Sequence, residues 1–220
     1  FNVCWPMSAA MPAVLKQAVE KSYEDSGWNL QKSTNKYEKK VYPTFEDVRR
    51  NVVKVINESE YQGETSGNYK GALLMRLSSL TNGIYGQIFS SDFDDSKTLF
   101  DQNTIVDLSR VGSQETKSLL MGLLVLKLQE YRMVQQFETG RINSPVKHVT
   151  VLEEAHNLLK RMNTTQSTET ANIAGKSVEM ITNAIAEMRT YGEAFIISDQ
   201  APALLDPAVI RNTNTKIIMR

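Results

Sequence analysis

The chain has 220 residues, of which 41% are hydrophobic, so it can form a sizeable core in one domain with an inserted subdomain. Its 25 basic residues balance its 25 acidic ones, so the chain has no overall positive charge that would attract nucleic acid. Nucleic-acid binding by basic residues confined to a channel is not excluded. A single cysteine argues against a disulfide scaffold, and with only two histidines it also argues against a structural zinc site. No apolar run is long enough for a membrane segment. We therefore expect a reducing, cytoplasmic compartment.

The first part of the chain has the apolar spacing of helices. Apolar residues recur every three or four positions in residues 11–23, 45–56 and 73–80. Between the first two segments, residues 29–42 are polar and lysine-rich. We expect them to form an exposed loop whose lysines are a solvated face rather than a DNA-binding patch. Residues 1–92 are therefore predicted to form an all-helical subdomain.

The second part, residues 93–220, alternates between strand and helix patterns. Short apolar runs predict strands at 104–108, 149–152, 194–198 and 216–219. Helical spacing predicts helices over residues 116–137 and 178–188. Strands that alternate with helices favour an α/β fold with a mostly parallel sheet.

The strand predicted at residues 149–152 ends directly on two carboxylates, Glu153 and Glu154. Ligands of open α/β sheets bind beyond the carboxyl ends of the strands, so paired acids there suit Mg²⁺ and a hydrolytic water. This is the Walker B pattern. A glycosidase pair is disfavoured, because neighbouring strand residues point to opposite faces. An acidic helix start stays open as the simpler alternative.

Four blocks of the sequence together resemble one family. They are the segments His148-Val-Thr-Val-Leu-Glu-Glu-Ala-His156-Asn-Leu-Leu, Met188-Arg-Thr-Tyr-Gly192, Ile196-Ile-Ser-Asp-Gln200-Ala-Pro and Asn212-Thr-Asn-Thr-Lys-Ile-Ile-Met-Arg220. In this order they resemble the HerA/FtsK-type P-loop ATPases, ring-forming motors that include DNA translocases and conjugation ATPases. The resemblance covers residues 100–220 and implies the C-terminal part of a RecA-like core. Residues 1–92 are similar, more weakly, to a helical insertion of bacterial members.

The resemblance also implies roles for single residues. Glu153 would hold Mg²⁺ through a water molecule, and Glu154 would polarise the attacking water as general base. Gln200 would sense the γ-phosphate of ATP or orient the attacking water. Arg189 and Arg220 would be arginine fingers toward a neighbouring subunit, in a homo-oligomer expected to be a hexameric ring. A surface salt bridge is the simpler explanation of either arginine.

Three of the candidate residues, Arg189, His156 and Asp107, have less certain roles than the others. Thr190 stands where relatives often have a second basic residue, which weakens the assignment of Arg189. His156 is expected to brace the acidic site or the helix start. Asp107 is either a polar group at a strand end or an exposed residue of an alternating strand.

The phosphate-binding half of such a site is missing from the sequence. A phosphate loop needs the pattern G-x-x-x-x-G-K-[ST] between a strand and a helix. The segment Gly175-Lys176-Ser177 has Thr170 in place of the first glycine, no strand before it, and a position after the Walker B strand. We reject it, and expect the loop to lie upstream of Phe1 in a longer protein and residues 1–220 alone to be inactive.

The function predicted from sequence is thus part of an ATP-hydrolysing motor for DNA translocation or conjugative transfer. Two alternatives stay open. One is an ATPase that remodels a protein partner, and the other is a non-catalytic interaction module on a decayed ATPase fold.

Overall fold

The computed structural model describes residues 1, 4–5, 7, 10–58, 64–89, 96–140, 143–161 and 168–219. The chain divides into two compact units. One is Met7–Asp94, and the other combines Phe1–Pro6 with Asp95–Arg220. Among the described residues, none of the helices combines the length and the apolar character that crossing a bilayer requires.

The first unit is built around three packed helices. They are α1 (Met11–Asp25), α2 (Phe45–Glu58) and α3 (Glu64–Thr81), and the short α4 (Gly83–Ile88) follows α3. Helix α2 contacts both α1 and α3. Its apolar stripe, with Val52 fully buried, explains this central position because helices pack through such stripes. The start of α2 is capped, since Thr44 Oγ1 accepts a hydrogen bond from Asp47 N, and Asp47 Oδ2 accepts one from Thr44 N.

The lysine-rich stretch between α1 and α2 is more ordered than the predicted loop. It contains two short antiparallel strands, β1 (Trp28–Asn29) and β2 (Thr34–Asn35). Trp28 pairs with Asn35 and Asn29 with Thr34, so the segment closes as a hairpin. The prediction of a plain loop is therefore corrected. Apolar periodicity gave no signal because the hairpin is held by polar side chains.

The second unit is a mixed α/β structure. Its helices are α5 (Ser96–Phe100), α6 (Gln114–Thr139), α7 (Thr168–Met188) and α8 (Pro207–Asn212), and its strands are β3 (His148–Leu152) and β4 (Glu193–Ile197). The strands pair in parallel, with His148 opposite Glu193 and Leu152 opposite Ile197. The segment between them includes α7, as a parallel connection requires.

One face of this parallel pair packs against the helices. Leu152 is buried in the core of the unit, and Phe195 and Ile197 pack against that core. Helices α6 and α7 supply half of the other buried members, namely Met121, Val125, Leu128, Ile181, Ile185 and Met188. The predicted strands at 149–152 and 194–198 are thus observed within one residue of their predicted limits.

Two other predicted strands are wrong. Residues 104–108 and 216–219 have no regular secondary structure and pair with no strand in the described part of the chain. Apart from Leu108, which packs against the core, their side chains are also exposed, with Ile105 and Ile218 each 94% accessible. β-branched residues favour an extended backbone, but a strand forms only where a neighbouring strand accepts its hydrogen bonds. The prediction of four strands rested on side chains alone.

A buried ion pair ties the strands to the helices at the amino-terminal edge of the sheet. The Glu193 side chain is fully buried and accepts hydrogen bonds from Arg132 Nε on α6 at 2.9 Å and from Thr150 Oγ1 on β3 at 2.6 Å. Arg132 bonds to Oε2, whereas Thr150 bonds to Oε1, and His148 Nδ1 lies 2.7 Å from this same Oε1. Arg132 also donates to Phe100 O and to Asp101 Oδ1, at the end of α5. Four elements therefore meet at one carboxylate.

We predict that Glu193→Gln lowers the free energy of unfolding by about 3–5 kcal/mol, because it leaves the Arg132 guanidinium buried without its charged partner. Glu179→Gln, on the exposed face of α7, is the control and is expected to change it by less than about 0.5 kcal/mol. Urea unfolding followed by circular dichroism measures both variants. Equal stability of the two would show that the ion pair does not hold the unit together.

Candidate functional site

The acidic pair lies where the two parallel strands end. Glu153 and Glu154 follow β3, and Ser198, Asp199 and Gln200 follow β4. The two tips stay joined beyond the strands, since Ser198 N donates to Leu152 O at 2.9 Å and Ala155 N donates to Ser198 O at 3.3 Å. Because the strands are parallel, their tips share one edge of the sheet, which is the edge where ligands of α/β sheets bind.

Glu154 has an unusual backbone conformation. Its φ of 50° and ψ of 46° lie in the left-handed region, which a residue with a side chain rarely adopts. This conformation turns the chain sharply after the strand, so that Ala155 enters the core while the Glu154 side chain stays 48% exposed. Strained backbone of this kind persists where the surrounding structure enforces it, and it is frequent at functional sites.

A buried carboxylate, Asp199, holds the segment after the acidic pair. Its Oδ2 accepts hydrogen bonds from the backbone N of His156 at 2.8 Å, and His156 Nδ1 lies 2.9 Å from the same oxygen. Its Oδ1 accepts a bond from Ala201 N at 2.7 Å. The Asp199 side chain is only 2% exposed, so these bonds replace the water that a free carboxylate would bind.

The ring of His156 lies between two carboxylates. Its Nδ1 is 2.9 Å from Asp199 Oδ2 and 3.5 Å from Glu154 Oε2. Protonated Nδ1 would donate to the nearer, buried Asp199 Oδ2. The ring is 24% exposed and therefore reachable from solvent.

The hydrogen bonds to Asp199 outweigh its burial in setting the charge of this carboxyl group. Burial is the largest single influence and raises the pKa of Asp199. The backbone N–H groups of Ala201 and His156, together with the His156 ring, favour the ionised form and bring this pKa below its ordinary value. Asp199 is thus a carboxylate at neutral pH.

The structure brings together some of the residues that the sequence singled out. Glu153, Glu154, His156 and Gln200 lie at the same edge of the sheet, and the two glutamates and Gln200 are exposed. Arg189 lies in the short 3-10 helix Arg189–Tyr191 before β4, and so at the opposite edge.

The remaining candidates do not join the strand tips. Arg220 lies outside the described residues. Asp107 precedes a turn, where its Oδ1 accepts a hydrogen bond from Ser109 N, and it ends no strand. Gly175 and Lys176 lie inside α7, where a phosphate loop cannot form because the backbone N–H groups bond within the helix.

Asp199 is the residue that the sequence analysis missed. It lies in the segment Ile196-Ile-Ser-Asp-Gln200, one position before Gln200. An available signal was its position two residues beyond a predicted strand, because polar residues at that place face the same edge as the acidic pair.

The residues at the tips fit Mg²⁺ to a limited extent. In the described ranges of the chain, no three side chains of His, Cys, Asp or Glu are grouped as a metal site. Mg²⁺ commonly keeps several waters and takes one or two carboxylates together with phosphate oxygens, so it does not require such a group. The exposed Glu153 supplies one carboxylate at the right edge of the sheet.

Comparison of the chain with protein-family models, with curated proteins and with solved structures found no match.

We predict that glycine is tolerated better at position 154 than at position 153. Glu154→Gly relieves a left-handed conformation that disfavours side chains by about 1–2 kcal/mol, which offsets the extra flexibility of glycine. Glu153, whose φ is not positive, gains no such relief and serves as the matched control. Chemical unfolding should find Glu154→Gly the more stable variant by about 1–2 kcal/mol. The reverse order would contradict the strain.

We also predict a pH-dependent contribution from Asp199. Because its pKa is lower in the folded chain than in the unfolded one, Asp199 stabilises the fold above about pH 4, and this stabilisation is lost as the pH falls through the folded value. Asp199→Asn should therefore be less stable than the unaltered chain at pH 7 by about 1–3 kcal/mol, with a smaller difference at low pH. Unfolding titrations from pH 7 to about pH 3 test this. A difference independent of pH would contradict it.

Proposed function

We propose that this chain carries the Walker B half of an ATP-hydrolysing site, in a motor of the HerA/FtsK type with a RecA-like core. The main support is the position of Glu153 and Glu154, exposed at the carboxyl-terminal edge of two parallel strands, where a phosphate ligand of an α/β sheet binds. The strained backbone of Glu154 and the ordered Asp199–His156 pair behind it support a built site rather than an ordinary exposed turn.

In this proposal the two glutamates have different roles. Glu153 would hold Mg²⁺ through a water molecule, and the bound ion would supply charge neutralisation at the phosphates of ATP. Glu154 orients the attacking water and accepts its proton. The ring of His156, 3.5 Å from Glu154, limits the positions that this carboxylate can take, and Asp199 in turn fixes the ring.

Gln200 follows the neighbouring strand and is exposed at the same edge. A side-chain amide there can donate a hydrogen bond to the γ-phosphate and accept one from the attacking water. We assign it this sensing role, in which it distinguishes ATP from ADP.

Arg189 is assigned to a neighbouring subunit's nucleotide rather than to its own. Arg189 precedes β4, whereas Glu154 lies near the other end of the strands. The five residues of β4 span about 17 Å, at about 3.3 Å per residue, so the two side chains lie about that far apart along the strands. An arginine at that edge reaches a nucleotide only across a subunit interface, as in a closed homo-oligomeric ring. Arg220, outside the described residues, is proposed as a second such arginine.

The phosphates of ATP must be held by chain outside these 220 residues, since the only Gly-Lys-Ser segment is helical. The complete motor is proposed to form a hexamer in the cytoplasm and to move DNA, by translocation or conjugative transfer. A motor that drives DNA rather than a protein partner should show ATP turnover that DNA stimulates.

We predict that Glu154→Gln, in a polypeptide that includes this chain and its phosphate loop, retains ATP binding but loses turnover by at least about 100-fold. Binding of a fluorescent ATP analogue and a coupled ATPase assay measure the two properties. Residues 1–220 alone should show neither. Unchanged turnover in the longer polypeptide would show that Glu154 is not the general base. If residues 1–220 alone showed saturable turnover, and Glu154→Gln abolished it, no separate phosphate loop would be required.

A further inference from the structure

The positive charge of the helical unit is concentrated in residues 28–42, which we call the basic hairpin. Within a chain of zero net charge, this stretch has four lysines and a single acidic residue, Glu38. All four lysines are exposed, and they are Lys32, Lys36, Lys39 and Lys40. The concentration of charge is therefore local, and the composition of the whole chain conceals it.

These lysines differ from other lysines of the same unit. Lys16 pairs with Glu20, Lys21 with Glu58 and Lys54 with Asp25. Within the part of the chain that the structure describes, no lysine of the basic hairpin has a carboxylate partner at salt-bridge distance. Their charges are thus available to an external anion.

The basic hairpin is an ordered platform. Beyond the β1–β2 pairing, Trp28 Nε1 donates to Val41 O at 2.5 Å, and Asn35 Nδ2 donates to Ser26 O at 3.1 Å. Lys36 N donates to Gly27 O at 2.9 Å, across the neck of the hairpin. Gly27 has a φ of +88°, and a side chain there would meet Lys36 and Tyr37 at 2.8 Å, so glycine is needed for this close approach.

Aromatic rings lie among the lysines. Tyr42 packs on Trp28 with 5.1 Å between ring centroids, and Tyr37 is 49% exposed. Lys36 Nζ lies 4.8 Å from the centroid of the Tyr37 ring. An exposed ring with a neighbouring cation can stack on a base while the cation contacts the adjacent phosphate, which is the pattern of single-strand binding surfaces.

We propose that the basic hairpin binds single-stranded nucleic acid, with its lysines on the phosphates and Tyr37 stacked on a base. An anionic membrane fits less well, because the tip of the hairpin, Leu30-Gln31-Lys32-Ser33, has a single apolar residue, Leu30 at 43% exposed, and so offers little apolar surface to enter lipid. The proposal rests on the DNA-moving part of the proposed function but needs no ATP chemistry. It places nucleic-acid contact in the helical unit, apart from the strand tips.

Fluorescence anisotropy with the full chain tests this inference without nucleotide. The probe is a labelled oligothymidylate of about 20 nucleotides, longer than the roughly 4–16-nucleotide sites of single-strand binding folds. The triple variant Lys36→Gln/Lys39→Gln/Lys40→Gln should weaken binding at least about tenfold and reduce the slope of log affinity against log salt by about two. Tyr37→Ala should weaken binding about tenfold, whereas Tyr37→Phe should not.

A matched triple variant on α1 and α2, Lys16→Gln/Lys21→Gln/Lys54→Gln, removes the same charge from the rest of the unit. It should bind like the unaltered chain, and circular dichroism confirms that each variant is folded. Equal weakening by both triple variants, no binding by the unaltered chain, or binding to phosphatidylserine vesicles instead of oligothymidylate would each overturn the proposal. If the basic hairpin binds the oligonucleotide but the complete protein does not hydrolyse ATP, the nucleic-acid proposal stands and the proposed function is refuted.

Discussion

The buried pair of Arg132 and Glu193 is the interaction on which the α/β unit depends. A parallel pair of strands is marginal by itself, because each strand offers only five residues for pairing. Through one carboxylate and one guanidinium, α6 and the end of α5 are joined to both strands at their amino-terminal edge. Breaking such a pair leaves a buried charge without compensation, which is worth about 3–5 kcal/mol and exceeds any exposed interaction at the opposite edge.

This anchoring explains how the two edges of the sheet differ. At the amino-terminal edge, every polar atom named around Glu193 has a partner, so the edge contributes stability. At the carboxyl-terminal edge, Asp199 is satisfied, but Glu153 and the strained Glu154 face solvent. The left-handed conformation of Glu154 disfavours the fold by about 1–2 kcal/mol, which a unit anchored elsewhere can accommodate. An exposed acidic pair that is kept at such a position is better explained by ligand chemistry than by packing.

The sequence predicted what depends on local periodicity and missed what depends on distant partners. The strands at 149–152 and 194–198 and the five longer helices, α1, α2, α3, α6 and α7, carry enough apolar pattern to be found, whereas the short helices α4, α5 and α8 were not predicted. Residues 104–108 and 216–219 carry the same pattern, but no strand pairs with them among the residues that the structure describes. Glu193 and Arg132 are 61 positions apart, and His156 and Asp199 are 43 apart, so nothing in either neighbourhood signals the pairing. The basic hairpin was missed because polar side chains, rather than apolar alternation, close it.

The outer face of the parallel pair connects the fold to the proposed function. Val149, Val151 and Ile196 alternate away from the core and are 46%, 54% and 54% exposed. Parallel strands are normally covered on both faces, which is why their sequences are apolar throughout rather than alternating. β3 and β4 have the composition of strands covered on both sides, yet the described residues cover one. A motor core whose phosphate loop comes from additional chain would also bring a strand and a helix to this sheet. In the proposed function, such a strand and helix would cover the exposed apolar face of β3 and β4.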